Sequence, residues 1–208
     1  MTERSVKNNI MAPRSEQENE NIRNKRTTEI IMVALELFAT KGYHSTSISK
    51  IAQQAGISKG LMYNYFNSKE DLLKEVVLFS YKKASDTLLE KMQAEIQHKS
   101  LKDAIKTVIE LFFEMMTENA HIWKLSISLS MQVTDMPDIQ TIMSKIFSEA
   151  FQRIAFLLNS ENPEIVEAEA RIIAATLDGI ALHYYVIGES YDLDAVKNKL
   201  IENLTNKF

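Results

Sequence analysis

Cysteine is absent from all 208 residues, which excludes disulfides, thiol nucleophiles and thiolate metal sites. Glycine and proline are scarce, five and three, so the chain lacks the turn punctuation of a β-rich fold. Long uninterrupted helices are the natural alternative. No apolar run approaches the roughly 20 residues expected of a bilayer span. The opening MTERSVKNNI lacks the apolar core of a secretory leader. The four histidines, His44, His98, His121 and His183, are dispersed, and neither a G-x-S-x-G elbow nor a glycine-rich phosphate loop occurs. These absences point to an all-α, non-enzymatic protein of a reducing, cytoplasmic compartment, with no membrane partner, no cofactor and no catalytic residue expected.

Positive charge is also short overall, with 24 Lys and Arg against 28 Asp and Glu and a formal charge of −4. Its distribution reverses that first impression. From Asn21 to Lys69 there are seven basic residues (Arg23, Lys25, Arg26, Lys41, Lys50, Lys59, Lys69) against two glutamates. From Ala84 to Phe208 there are 11 basic residues and 19 acidic ones. A basic amino-terminal end on an acidic body attracts phosphates at one end and repels them elsewhere. The length suits one domain of moderate size, or a small module joined to a larger one.

The stretch from Thr46 to Leu73, TSISKIAQQAGISKGLMYNYFNSKEDLL, carries the most information. Ile48, Ile51, Ala52 and Ala55 recur at helical spacing and give a first short helix one buried face. Gly56 comes next, where a left-handed backbone ends a helix. Ser58 is placed to cap a second short helix from Lys59 to Tyr65, and Ser47 to cap the first. Two helices joined by a tight glycine-containing turn form the helix-turn-helix, which sets its second helix in a DNA groove.

Around this motif the periodicity predicts about nine helices. Residues 1–22 read as a flexible tail, polar and without apolar rhythm. A helix from about Asn24 to Lys41 carries Ile30, Ile31, Ala34, Leu37 and Phe38 on one stripe. A long helix starts at Ser68, with Asp71 three residues on as an acidic capping box, and reaches about Gln97. Leu101 to Met116 is amphipathic. Ala120 to Val133 is ambiguous, because Leu125, Ile127, Leu129 and Met131 alternate at strand period; with no partner strand in sight, helix is the better reading. Pro137 opens a helix to about Leu158. Asn162-Pro163-Glu164 is a helix start. The helix it opens is apolar almost all round between Ala170 and Ile187, so it needs cover on two sides. A second copy of the chain suits one side, approaching over the small residues Ala174, Ala175 and Gly179. A last helix spans Asp192 to about Asn206. The expected division is a tail (1–22), a three-helix DNA-binding domain (23–68) and a helical ligand-binding and dimerisation domain (69–208), with helix 69–97 as linker.

ALELFATKGYHSTSISKIAQQAGISKGLMYNYFNSKEDLL resembles the DNA-binding domain of TetR-type transcriptional regulators. The resemblance rests on Ala34-Leu35, Leu37-Phe38, Gly42-Tyr43, Thr46-Ser47-Ile48, Ile51-Ala52, Ala55-Gly56, Ser58-Lys59-Gly60, Tyr63, Tyr65-Phe66 and Ser68-Lys69-Glu70. It implies a ligand-responsive regulator, a repressor in the expected mode, that binds double-stranded DNA at a palindromic operator as a homodimer and is released by a small molecule. It further implies groove contacts from Lys59, Gly60, Leu61, Tyr63 and Asn64, with Lys59 suited to the guanine acceptors O6 and N7. Thr46, Ser47, Ser49, Lys50, Ser58, Tyr65 and Lys69 are the implied phosphate contacts or helix caps around them. The last two helices would pair with a second subunit, and Ile172, Ala175, Gly179 and His183 are the expected interface residues.

For the ligand, adaptable methionines and aromatics of the body suit a partly apolar molecule. The candidates are Phe112, Met115, Met116 and Trp123, together with Met131, Phe147, Phe151 and Tyr184. Asp178, Glu114 and His183 are candidates for orienting a polar group. Two other classes remain to be weighed. Glu95 with His98 and Glu118 with His121 both have the Glu-x-x-His spacing of di-metal carboxylate bundles, but each pair falls at a helix end, and no metal is expected. An interaction protein with a vestigial DNA-binding module is the other alternative.

Overall fold

The computed structural model describes residues 16–96, 99–158 and 163–207. Among the described residues are nine α-helices and no strand. They are α1 (Glu16–Lys41), α2 (Ile48–Gln54), α3 (Lys59–Met62), α4 (Lys69–Ile96), α5 (Leu101–Glu118), α6 (Ala120–Gln132), α7 (Pro137–Leu158), α8 (Pro163–Ile187) and α9 (Leu193–Lys207). A single 3-10 turn, Gly188–Ser190, separates the last two.

α1 begins eight residues before the predicted Asn24. Residues 16–25 are all exposed, so they present no apolar stripe that periodicity can detect. The expected tail is therefore helical from Glu16 onward, and residues 1–15 lie outside the described residues. The far end of α1 is closed as the sequence predicts: Gly42 has φ +90 and its N–H donates to Phe38 O at 3.0 Å. The caps of the next helices also stand where expected. Ser47 Oγ accepts from Lys50 N at 3.2 Å, Ser58 Oγ from Leu61 N at 3.1 Å and Ser68 Oγ from Asp71 N at 3.0 Å. The Asp71 carboxylate reaches back to the Asn67 N–H at 2.8 Å, one residue earlier than an ordinary capping box. Regular α3 closes at Met62 rather than Tyr65. Asn64 N and Tyr65 N donate to Leu61 O and Met62 O, the tighter i→i+3 pattern of a fraying last turn. The Asn162 cap lies outside the described residues.

The ambiguous segment is helical, and its strand-like alternation has a physical cause. Leu125 and Leu129 are buried toward α1, whereas Ile127 and Met131 turn to the opposite side, onto a cavity. A helix that is apolar on two faces, with polar residues between them, imitates period 2. Its serines are satisfied within the fold: Ser126 Oγ donates to Ile122 O and Ser130 Oγ to Ser126 O, both at 2.8 Å.

Two apolar clusters hold the molecule together. The first joins Ile30, Leu35 and Phe38 of α1 with Ile51, Met62, Leu72 and Val76, and it takes in Leu125 and Leu129 of α6 and Val133 just after it. It therefore crosses the expected division at residue 68. The second joins Ile109, Phe112, Phe113 and Met116 of α5 with Leu177 and Ala181 of α8, with α9 packed outside. Each fully buried Leu, Ile or Phe contributes about 1.5–3 kcal/mol, so the first cluster is as much a joint as a core.

α8 corrects one expectation. With the 3-10 turn that follows it, the stretch Glu167–Ser190 is long and apolar enough, by length and composition, to cross a membrane. Asp178 sits in the middle of that span and Arg171 pairs with Glu167 at its start, 2.7 Å apart, both of which a bilayer disfavours. The apolar excess lies instead on an exposed stripe. Ile172 is 58% exposed, Val186 75% and Ile187 51%, and Ile172, Ala175, Gly179, Leu182 and Val186 repeat at alternate spacings of three and four.

Candidate functional site

The outer surface of α2 and α3 gathers the predicted DNA contacts. Ser47, Ser49, Lys50, Ser58, Lys59, Gly60 and Asn64 are exposed, and so are Leu61 (40%) and Tyr63 (47%). These side chains stand free because the opposite faces are spent on the core: Ile48, Ile51, Ala52 and Met62 are buried. Tyr65 is half-buried, packed on the first cluster, with the Arg23 guanidinium 5.6 Å from its ring centroid. Tyr63 has no such packing and presents its phenol outward.

Thr46 is a correction. It is 3% exposed, and its hydroxyl donates to Gly42 O at 2.8 Å and Leu37 O at 3.3 Å. That hydroxyl ties the α1–α2 turn to the end of α1 and is not available to a phosphate. Arg23 and Arg26, expected on the basic face, also have structural partners. Arg23 donates to Asn64 O at 3.0 Å, just after α3, and Arg26 to Ala55 O at 2.9 Å, just after α2. Both cations thus fasten α1 to the ends of α2 and α3, where carbonyl dipoles attract positive charge.

Lys69, at the first turn of α4, is half-buried. Its ammonium donates to His44 O at 3.2 Å and lies 4.3 Å from the Tyr43 ring centroid. Burial pulls the Lys69 pKa below its ordinary value, with Glu70 opposing that fall. Tyr43 is pushed up to about 12, first by burial and then by Glu70, whose carboxylate accepts from its hydroxyl at 3.3 Å. Glu70 is held low by hydrogen bonds, first from its own backbone amide and then from Ser68. The cluster fixes the amino-terminal end of α4 against the α1–α2 turn.

The body holds a cavity of about 570 Å³ between α4, α5, α6, α7 and α8. This lies within the roughly 300–1,000 Å³ range of small-molecule sites. Of the predicted ligand residues, Met115, Trp123, Met131 and Phe147 stand on its wall. Phe112 and Met116 are instead buried in the second cluster with Tyr184 packed against it, and Phe112 backs Trp123 edge-on at 5.9 Å. Phe151 stacks on Phe147 at 6.2 Å, away from the wall. Asp178 is on the wall; Glu114 and His183 are exposed elsewhere. Of the Glu-x-x-His pairs, His98 lies outside the described residues, and His121 Nε2 is 2.9 Å from Glu36 Oε2 on α1. Among the described residues no group of acids and histidines is placed to hold a metal.

The profile of the bacterial regulatory proteins of the tetR family matches residues 30–76, the span of the helix-turn-helix and the start of α4. The fatty acid metabolism regulator protein of Bacillus subtilis is 26% identical over 186 residues, covering 86% of this chain and 93% of its own. A TetR/AcrR-type transcriptional regulator from Aquifex aeolicus superposes with a TM-score of 0.64 at 27% identity, covering 88% and 99%. The chain belongs to the TetR family. It is a DNA-binding transcriptional regulator of the ligand-responsive type. The transcriptional regulator FadR from Bacillus subtilis, solved in complex with stearoyl-CoA, shares the fold with a TM-score of 0.68 at 24% identity, covering 87% of this chain and 98% of its own.

In this TetR-family chain the residues that sequence reasoning missed lie mostly on α4 and α6. Phe79, Tyr81, Ile122, Ser126, Ile127 and Ser130 line the cavity. Tyr81 OH and Ser130 Oγ share a 2.9 Å hydrogen bond across it. The other side of α6 grips the DNA-binding end: Ser128 Oγ and Gln132 Nε2 each donate to Ala39 O at 3.2 Å, and Gln132 Oε1 accepts from Tyr43 N at 3.3 Å. The alternation of Leu125, Ile127, Leu129 and Met131 was the available signal, since it marks a helix with two apolar faces.

Proposed function

We propose that the protein is a homodimeric repressor that reads an inverted-repeat operator through the exposed faces of α2 and α3 and leaves it when a small molecule fills the cavity. The observation that carries this reading is the double face of α6. Ser126, Ser130 and Met131 meet the cavity, while Ser128 and Gln132 hold the Ala39 carbonyl in the last turn of α1, and Gln132 also holds the Tyr43 amide just after Gly42. A ligand that shifts α6 moves the root of the DNA-binding module directly. α4 supplies a second route, with Phe79 and Tyr81 on the cavity wall and Leu72 to Val77 in the first cluster.

The exposed stripe Ile172, Ala175, Gly179, Leu182, Val186 supports pairing through α8, with His183 beside it. A two-fold dimer sets its reading helices about 34–36 Å apart, in successive major grooves. Residues 23–68 then read DNA, and residues 69–208 bind the ligand and the second subunit, all in the cytoplasm. The relative solved with stearoyl-CoA supports an effector with a long apolar body. To swing a dimer from 1:99 to 99:1 between its two states, that effector must prefer one by about 5.5 kcal/mol.

The test is fluorescence anisotropy on inverted repeats recovered by operator selection, repeated with graded long-chain ligands. Binding as a dimer, loss of DNA on ligand addition and parallel quenching of Trp123, the only tryptophan, are the expected results. A monomer that ignores every selected repeat overturns the reading.

A further inference from the structure

Asp178 is the only charged side chain on the described wall of the cavity. Five of the neutral polar side chains there already have partners: Tyr81 bonds Ser130, and Ser80, Asn119, Ser126 and Ser130 bond backbone carbonyls one turn back. Asp178 has no hydrogen bond or ion pair among the described residues. Asp178 is exposed in the single chain and shares the cavity wall with Gly179 and Leu182. Burial pushes its carboxyl up with no counter-charge to oppose the rise. Tyr81, pushed up chiefly by its own burial, is close enough for Asp178 to add to the effect. A carboxylate set among apolar and aromatic walls is a favourable partner for a cation. Its presence makes physical sense if something of opposite charge enters the cavity.

The rest of the wall suits such a guest. Phe79, Tyr81, Trp123 and Phe147 bring four aromatic rings to the same space. Aromatic faces attract ammonium groups, most strongly where water is excluded. A ligand ending in a free carboxylate meets a like charge instead. The thioether side chains of Met115, Met131 and Met143 mould to an irregular apolar body without selecting its charge.

We propose that the effector of this cavity is an organic cation, an apolar body carrying an amine or quaternary ammonium group that seats against Asp178. This rests on the cavity being the effector site, as proposed above, and adds the charge of the molecule it takes. The α8 position of Asp178, one residue before Gly179 on the exposed stripe, puts the cationic end of the ligand next to the dimer-forming face. The tail then extends toward α6, where Ile127 and Met131 stand.

The experiment titrates the full-length protein, below micellar concentrations, with dodecyltrimethylammonium, dodecanol, dodecanoate and stearoyl-CoA. Trp123 fluorescence and operator release are read together. The ammonium should bind about tenfold tighter than dodecanoate, and in Asp178→Asn that preference should collapse to about twofold or less. In the wild type the preference for the ammonium over dodecanol, neither of which titrates, should also shrink as the pH is lowered and Asp178 takes up its proton, a readout that holds even if the variant folds poorly. Equal binding of all the dodecyl probes, or tighter binding of dodecanoate or stearoyl-CoA, overturns the charge assignment and leaves the effector cavity standing. An Asp178→Asn variant with unchanged preference but altered dimer formation assigns the carboxylate to the subunit contact and also overturns it. No quenching and no operator release with any probe overturns both readings.

Discussion

Lys59 and Lys69 have different surroundings and therefore different expected contributions to DNA binding. Lys59 is exposed on the reading face, free to reach a base edge, whereas Lys69 is tethered by His44 O and Tyr43 at the rim. Lys59→Ala should relax sequence preference, costing about 1–3 kcal/mol on the best operator and less on others. Lys69→Ala should weaken all sequences alike and reduce the salt slope by about 0.9. An unchanged slope in Lys69→Ala removes it from the phosphate contacts. Thr46 belongs to stability instead. Thr46→Val keeps the shape but takes from Gly42 O its hydroxyl donor, so chemical denaturation should report a loss of about 1–3 kcal/mol, with the salt slope intact. Asp178 gives a pH signature. Its carboxyl titrates higher folded than unfolded, so the native state favours the protonated form, and stability falls as pH rises from the ordinary value of 3.8 through the raised one. No other charged side chain shares the described wall, and Tyr81 is its titratable neighbour. Thermal melts should therefore show Asp178→Asn more stable than wild type at neutral pH, with the gap closing toward about pH 4.

Among the helices, α6 joins cavity and reader, and Gln132 is the residue through which the joint can be loosened with least damage to packing. Its side-chain amide closes the end of α1 from both sides, accepting from Tyr43 N and donating to Ala39 O. Gln132→Ala should cost about 1–3 kcal/mol in stability and lower the ratio of operator affinities without and with effector by roughly three- to tenfold. Binding of the effector itself, followed at Trp123, should stay the same. If operator affinity responds to effector as in the wild type, transmission runs through α4 alone. This helix was only partly legible in the sequence. Its existence followed from the lack of a partner strand, but which apolar residues faced α1 and which faced the cavity required neighbours that lie about 90 positions away along the chain, as Ala39 does from Ser128 and Gln132. The amino-terminal extension of α1 was not legible, because an exposed helix leaves no apolar rhythm.

At the scale of the whole molecule, the exposed apolar stripe of α8 sets the expected assembly. Val186→Glu places a charge where the stripe is 75% exposed in the single chain. Sedimentation should then show monomers at concentrations where the wild type is dimeric, and operator affinity should fall by orders of magnitude as the second half-site is lost. A dimeric Val186→Glu with full operator affinity moves the interface off α8. The same arrangement relates the two ends. One continuous cluster runs from Ile30 on α1 to Val133 at the end of α6, so the DNA-binding module is packed against the body and does not hang from the α4 linker alone.

The helix-turn-helix and its caps were determined by the sequence itself, because serines at caps, glycines at Gly42 and Gly56 and an apolar i, i+3, i+4 pattern act between residues a few positions apart. The asymmetry of charge was fixed in the same way, since it depends only on composition along the chain. What the tertiary structure alone decided is which of the body's interchangeable apolar residues became packing and which became cavity. Phe112 and Met116 went into the core while Trp123 and Phe147 went onto the wall. It also decided that Thr46 faces inward and that Asp178 stands without a partner among the described residues. Burial and pairing are properties of neighbours brought together by folding, and helical periodicity reports a face without naming what that face will meet.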